Sequence, residues 1–563
     1  MSDARGLTQP AANRSAGLRA TAAAASGWSA VRALLERHGW VIVCALPLLC
    51  SLAVRGPIPL DETRYLSVAW EMWWTHDFSL PVLNGAPYTH KPPVLFWLMH
   101  AGWWLFGVND WFPRAIPLLA ALVSAWLTRL LAQSLYPERA SRVPDTAAWL
   151  LAGSLAWTAY VTIMLFDMPL VVCVMTAIVA LERAERAPLR SWCVYAACIG
   201  AGLLTKGPAM LVFALPPALL GPWWSVGAAR ARMRWYAATV AALVAGIALA
   251  CLWVYLAFEQ AGFAFLRSIL WEQSANRIVH SFAHPQPWWF FILVFPLLLL
   301  PWLIWPTAWR ALRAPGSPRA DRLVMAAALP AFVFFSLTSG KQPHYLLPLV
   351  PLAALWLAPR ITNPAVPLAG TINVSICFFL LGVAGASTYL WHEPEPARIA
   401  VGLTTIACAL LFLRAARDRY ATIRHIASAT AMTMGLVTIA FYATIRESYQ
   451  LDGAASVVED LDERDVPIAW IGPYAGQFNY LARMRRPVAE LDWQRKDEML
   501  SWIATHPDGQ VVAFSSGGRD IHIGPEIYRQ RYRSGWLVIV PAREAEVATR
   551  TTGDDPEEEP AED

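Results

Sequence analysis

Roughly thirteen apolar runs, each about 15–25 residues long, punctuate this chain, and that is the length a helix needs to cross a bilayer core of ~30 Å. A segment inside hydrocarbon must satisfy its own backbone, so runs of this kind fold as spanning helices and leave little room for any other architecture. We place them at 39–55, 112–135, 145–164, 168–183, 191–205, 207–225, 236–258, 288–308, 323–338, 345–359, 366–390, 397–413 and 425–445. Composition agrees: 56% of the 563 residues are hydrophobic and 15% charged, where a soluble domain has about 25% charged residues. Many of the 29 Trp cluster near run ends (Trp103, Trp104, Trp223, Trp224, Trp288, Trp289), as an aromatic belt at the lipid–water boundary would.

The net charge of +4 makes no case for nucleic acid as a partner. All 8 Cys lie in apolar runs and none forms a CxxC, so the sequence offers no thiolate–metal or disulfide framework. Residues 1–36 are rich in Ala, Ser and Arg and read as a disordered cytoplasmic tail without a cleavable signal. Residues 37–445 form the membrane domain, 446–545 a small soluble α/β domain, and 546–563 an acidic disordered tail. Within the soluble part, Val466–Gly472 and Gln510–Ser515 read as strands, and Gln477–Met484 and Asp497–Thr505 as helices.

Orientation follows from arginine. Alternate loops carry Arg139 and Arg142; Arg183, Arg186 and Arg190; Arg230, Arg232 and Arg234; Arg310, Arg313, Arg319 and Arg322; and Arg414, Arg417, Arg419 and Arg424. The positive-inside rule puts these loops and the N-terminus in the cytoplasm, and an odd number of spans puts the C-terminus outside. The outer segments 56–111, 259–287 and 339–344 hold acids, His, Lys, Tyr and Pro, and two of them are too long to be mere connectors. Residues 93–108 read as an outer-face helix lying on the membrane or partly inserted in it.

The polar residues that could carry chemistry gather on this outer side. They are Asp61, Glu62, Arg64 and Tyr65; Tyr88, His90 and Lys91; Asp167; Lys206; Arg277; and Lys341 and Tyr345. A carboxylate at a span boundary, as Asp61 and Asp167 are, is costly unless paired, hydrated or functional, although each could also cap the helix that follows. Lys91, Arg277, Lys206 and Lys341 suit a polyprenyl phosphate headgroup, which would lie at this depth and needs cationic partners; snorkelling to lipid is the plain alternative. His90, His280, His284 and His344 could gather around a divalent metal such as zinc, yet no HxxH or HExxH spacing supports it, so no cofactor is required. No convincing P-loop, GxGxxG or GxSxG occurs, which removes support for ATP-driven transport and serine hydrolysis. Charge at one face rather than mid-membrane, and the lack of an internal repeat, weigh against a lipid-linked sugar transporter.

Taken together, Leu60-Asp61-Glu62-Thr63-Arg64-Tyr65, Tyr88 to Pro92, Phe166-Asp167-Met168-Pro169, Thr205-Lys206-Gly207-Pro208 and Gly340-Lys341-Gln342-Pro343-His344-Tyr345 resemble the aminoarabinose transferases of lipid A modification. These are GT-C membrane glycosyltransferases related to the protein O-mannosyltransferases, and the resemblance covers about residues 39–450. His90 stands where the resemblance leads one to expect an acid. The resemblance implies inverting transfer of 4-amino-4-deoxy-L-arabinose from undecaprenyl phosphate to lipid A phosphates, on the periplasmic face of a bacterial inner membrane. It also implies polymyxin and cationic-peptide resistance. Asp61, Asp167 and Glu62 would then be catalytic. Lys91, Arg277, Arg64, Tyr65, Tyr88, Lys206, Lys341 and Tyr345 would bind donor phosphate and substrate. Other polyprenyl-phosphate-sugar transferases, such as a protein O-mannosyltransferase, are the nearest alternatives.

Overall fold

The computed structural model describes residues 31–137, 142–269, 285–378, 418–492, 494–515 and 525–545, with isolated residues at 380, 402, 403, 405 and 406. Arg277, His280, His284, part of the apolar run 366–390 and most of the run 397–413 lie outside the described residues.

The described residues form a helical membrane body with a small mixed sheet at one end. The helices used below are α1 (Trp40–Val54), α2 (Asp61–Thr75), α3 (Val94–Phe106), α4 (Trp111–Leu135), α5 (Val143–Ala152), α6 (Asp167–Arg183), α7 (Pro188–Lys206), α8 (Ala209–Leu219), α9 (Arg232–Arg267), α10 (Phe290–Leu298), α11 (Pro318–Leu337), α12 (Leu349–Ile361), α13 (Arg419–Tyr449), α14 (Asp452–Glu463) and α15 (Lys496–Thr505). Four helices among the described residues are long and apolar enough to cross a bilayer: α4, α9, α11 and the Arg419–Tyr442 part of α13. A fifth arises if Val31–His38 and α1, bent by 70° at their junction, count as one span. Residues 31–36, expected in the disordered tail, thus open a helix.

Of the other apolar runs, 168–183 and 191–205 are the unbroken helices α6 and α7, whereas two are broken by identifiable residues. The run 145–164 divides at Gly153 into α5 and a short helix Leu155–Tyr160, then continues as irregular chain to Phe166. The run 288–308 breaks into α10, a 3-10 turn Trp302–Ile304 and a short helix Pro306–Ala311, with Pro296, Pro301 and Pro306 each withholding an N–H. α9, at 36 residues, carries its kink at Gly262, whose φ of 73° lies outside the helical region. Exposed Val240, Val244, Leu252, Leu329, Val333, Val437 and Phe441 give α9, α11 and α13 lipid-facing sides, while small residues such as Gly200 and Gly246 let α7 and α9 approach closely.

α2 differs in kind. It mixes acids with aromatics and lies with α3 and a two-stranded hairpin, Val82–Leu83 (β1) with Ala86–Pro87 (β2), as a layer beneath the C-terminal unit. That unit is a five-stranded sheet in the order β4-β3-β5-β7-β6, formed by β3 (Ile468–Ile471), β4 (Ala489–Leu491), β5 (Gln510–Ser515), β6 (Tyr528–Tyr532) and β7 (Gly535–Pro541). β3 pairs parallel with β4 and β5, and β7 antiparallel with β5 and β6. α14 covers one face and α15 the other, each through its own apolar cluster. The helix expected over Gln477–Met484 is instead a run of turns, with Gly476 (φ 72°) and Arg483 (φ 51°) in left-handed conformations at its two ends.

Those turns dock on α2. Ser67 Oγ donates to Gly476 O (2.7 Å) and accepts from Tyr480 N (3.1 Å), and Trp70 Nε1 donates to Met484 O (2.8 Å). Asn84, in the hairpin turn, exchanges hydrogen bonds with both backbone groups of Val488, at 2.9 and 2.7 Å. Gly476 is obligatory here: a Cβ would sit 2.6 Å from Leu83 and 3.0 Å from Ser67.

Candidate active site

Asp167 opens α6 and is 3% exposed. Lys206 closes the neighbouring antiparallel helix α7, which ends there because Gly207 turns left-handed (φ 59°). Helix ends meeting in this way put the Lys206 ammonium on Asp167 Oδ1 at 2.5 Å. From the turn before α12, His344 brings Nε2 to 3.8 Å from the other carboxylate oxygen. Tyr345 lays its ring 4.9 Å under the Lys206 ammonium, and Tyr160 meets His344 edge-on at 6.1 Å. Lys91 is near enough to act electrostatically on Asp167 as well. One buried carboxylate therefore gathers two lysines, with a histidine that adds positive charge only when protonated, a set of groups of the kind that receives phosphate.

Asp61 is the first residue of α2 and makes no capping hydrogen bond; its N-cap position is Leu60. Its side chain is 61% exposed, with Arg64 4.0 Å away one turn on. Tyr65 stands between the two acids. Its ring packs edge-on against Phe166 at 5.0 Å, and Asp61, Tyr88, Arg64 and Asp167 all act on its phenol. Burial, and then the Asp61 carboxylate, push that phenol well above its ordinary pKa, so it keeps its proton. Tyr88 stacks on the exposed His90 at 5.3 Å, and Thr89 Oγ1 is 3.0 Å from Ser268 Oγ, which ties the Lys91 segment to the end of α9.

Two residues grouped with these in the sequence sit elsewhere. Glu62 is sealed in a network of its own: Arg55 grips both its oxygens, at 2.5 and 3.0 Å, and the amides of Ile58 and Met164 donate to it at 2.9 and 3.0 Å. Lys341, 4% exposed, donates to Gln286 O at 2.8 Å and to Thr338 O. The site thus brings together Asp61, Arg64, Tyr65, Tyr88, Lys91, Asp167, Lys206 and Tyr345; it places Glu62 and Lys341 in backbone-bracing networks. Arg277 lies outside the described residues. Among the described residues no three His, Cys, Asp or Glu converge as metal ligands, and His280 and His284, expected to join His90, are not described.

Sequence reasoning overlooked Arg55 and Tyr160 and did not pair His344 with Asp167. Arg55 carried a signal: it is an arginine immediately after the first span on the face that the positive-inside rule leaves poor in arginine, so a buried partner was to be expected.

Residues 90–258 match the family model described as dolichyl-phosphate-mannose-protein mannosyltransferase. An undecaprenyl phosphate-alpha-4-amino-4-deoxy-L-arabinose arabinosyl transferase of Pseudomonas fluorescens is 30% identical over 331 residues, covering 56% of this chain and 56% of that protein. Its counterpart in Edwardsiella ictaluri is 28% identical over 376 residues, or 62% and 65% of the two chains. The match therefore spans between 56% and 65% of the length of these relatives. The crystal structure of ArnT from Cupriavidus metallidurans bound to undecaprenyl phosphate superposes with a TM-score of 0.71 at 19% identity, over 92% of this chain and 98% of that one. The apo form of the same protein gives 0.72 at 18% identity. The resemblance read from the outer-face motifs is borne out, and the chain has the fold of ArnT from Cupriavidus metallidurans.

Proposed function

We propose that this protein transfers 4-amino-4-deoxy-L-arabinose, with inversion, from undecaprenyl phosphate to phosphate groups of lipid A. Such a transfer masks negative charge and confers resistance to polymyxin and cationic peptides. The observation that carries the reading is the Asp167–Lys206–His344 cluster, with Lys91 beside it and exposed Asp61 across Tyr65, at the ends of apolar helices. A polyprenyl chain lying among such helices delivers its phosphate to this depth. The relatives that carry the aminoarabinose transferase name suggest the sugar and the carrier lipid.

The bond from sugar C1 to the donor phosphate oxygen breaks while an acceptor phosphate oxygen forms the new C1–O bond from the opposite face. Negative charge grows on the departing phosphate and positive charge on the sugar ring. Lys206 and Lys91 stabilise the first, together with Arg277, each charge-assisted contact contributing about 1.5–3 kcal/mol. Asp167 does not meet the substrate in this scheme; it holds Lys206 and His344 in place. Asp61, whose carboxylate remains hydrated and mobile, faces the sugar, where it steadies the cationic ring or the sugar amine. An acceptor phosphate is already ionised near neutral pH, so no strong base is needed. Tyr65 and Tyr88 shape the headgroup pocket, with Arg64 beside Asp61. No cofactor is required; a divalent metal such as zinc would have to come from His90, His280 and His284.

The setting we propose is the bacterial inner membrane, crossed about thirteen times, with the N-terminus cytoplasmic and both the site and the C-terminal unit periplasmic. Mass spectrometry of lipid A from cells with and without this chain tests the activity. Aminoarabinose-bearing species should appear only with it, and identical spectra would refute the reading. The mannosyltransferase match over residues 90–258 favours one alternative, transfer of a polyprenyl-linked sugar to protein, which the same membranes would reveal by labelling polypeptide instead of lipid A.

A further inference from the structure

Two acids of the site lie on different segments, Asp61 at the start of α2 and Asp167 at the start of α6, more than a hundred residues apart in sequence. Neither segment is anchored by regular structure just before its acid: residues 55–58 and 163–165 are irregular. A single buried ion pair braces both. The Arg55 guanidinium forks onto Glu62, and the side chains are 4% and 2% exposed. The second nitrogen of the fork also donates to Thr162 O at 2.5 Å. Glu62 accepts from the amide of Ile58 on its own segment and from the amide of Met164 on the other. Tyr442 of α13 covers the guanidinium, its ring 5.0 Å from Cζ, and Arg114 bonds Ser51 O at 3.3 Å alongside.

We infer that Arg55 and Glu62 act as a positioning clamp that sets the separation of Asp61 from Asp167, and that Glu62, although adjacent to Asp61, takes no part in proton transfer. Three points support this. Every strong acceptor direction of the Glu62 carboxylate is taken by a donor, so it has no direction left for substrate. The pair links the Thr162–Met164 turn, three residues from Asp167, to the Ile58–Glu62 turn that carries Asp61. A bidentate arginine–carboxylate contact fixes angle as well as distance, which a lysine in place of arginine would not. Misplacing a catalytic group by ~1 Å can cost about a hundredfold in rate, so a brace here acts on turnover more than on binding.

The inference rests on the transferase reading for its kinetic arm and is independent of it for its structural arm. The full-length protein in lipid is compared with Glu62→Gln and Arg55→Lys, the second keeping the charge where the first fails to fold. Hydrogen exchange should quicken together in residues 57–64 and 161–166 of either variant. The kcat per donor-binding site should fall about a hundredfold while donor affinity stays within about threefold, and the acid limb of the pH profile should stay where it is in wild type. Exchange that quickens in one segment alone, or wild-type kcat in both folded variants, would overturn the clamp. A shifted acid limb in Glu62→Gln would make Glu62 itself a titrating participant and overturn it equally. A wild-type protein that transfers no sugar, yet shows the coupled exchange, would refute the transferase reading and leave the clamp standing.

Discussion

A carboxylate that is 61% exposed keeps its hydration and can turn toward a bound sugar; one locked between a lysine and a histidine at 3% exposure cannot. Asp61 and Asp167 differ in this way, and the two should fail differently. Asp61→Asn keeps shape and removes charge; purified and folded, it should lose at least about a hundredfold in turnover with donor binding kept, and near-normal turnover would remove Asp61 from the reaction. Lys206→Ala leaves a buried carboxylate without its main partner, which costs about 3–5 kcal/mol of stability as well as activity. Adding Asp167→Asn should restore the melting temperature and leave activity lost. A double variant as unstable as Lys206→Ala would show that the pair is not what braces these helix ends. Lys91→Ala should weaken donor binding about ten- to hundredfold, against little change if that side chain only snorkels to lipid headgroups.

At the scale of elements, α2 and α3 form the layer that joins membrane body to C-terminal unit. His100 of α3 lies buried against α2, with Nε2 2.8 Å from Ala69 O, and burial lowers its pKa to about 4. Its unfolded value is near 6.5. The unfolded chain therefore binds more protons between those limits, and stability from this residue is complete above about pH 6.5 and lost as pH falls toward 4. Thermal unfolding between pH 7 and 4.5 should show that loss, and His100→Asn should flatten it. An equally steep decline in the variant would assign it to other groups. Glu71, raised by burial, opposes this trend, since its contribution is present at low pH and fades as pH rises through its elevated value. Much of this layer was legible beforehand: a helix over 93–108, the stretch 56–111 as a polar segment too long for a connector, and β5 with its stated bounds. Most of what was not legible depends on partners distant in sequence. The Gln477–Met484 stretch has helical composition, but it must bring Tyr480 N to Ser67 and Met484 O to Trp70, and left-handed residues at its two ends allow that. The Arg55–Glu62 fork spans only seven residues, and the place of Arg55 hinted at a buried partner without naming which; the His344–Asp167 pair arises from segments with no local signal that they meet. The Pro-rich runs read as single spans because hydropathy averages over a break that one missing N–H creates.

For the whole molecule, the testable statement is sidedness. Single cysteines at Ala187, in an arginine-rich loop, and at Asp508, in the C-terminal unit, should react with an impermeant thiol reagent from opposite sides of the membrane; both are exposed. Labelling of both from one side would refute the orientation. The C-terminal sheet adds a consequence of another kind. A five-stranded sheet has two edges, and an edge with unpaired backbone groups recruits strands from other molecules. One edge, β6, is Tyr528-Arg529-Gln530-Arg531-Tyr532, where both arginines fold over the Trp536 ring and Gln530 reaches back to Gln450 O. Beside the other edge, β4, Asn84 occupies both backbone groups of Val488. The membrane body thus shields an edge that the sheet cannot shield alone. Released by proteolysis or expressed by itself, the unit would be expected to associate through β4, the edge beside which the docking contact lies.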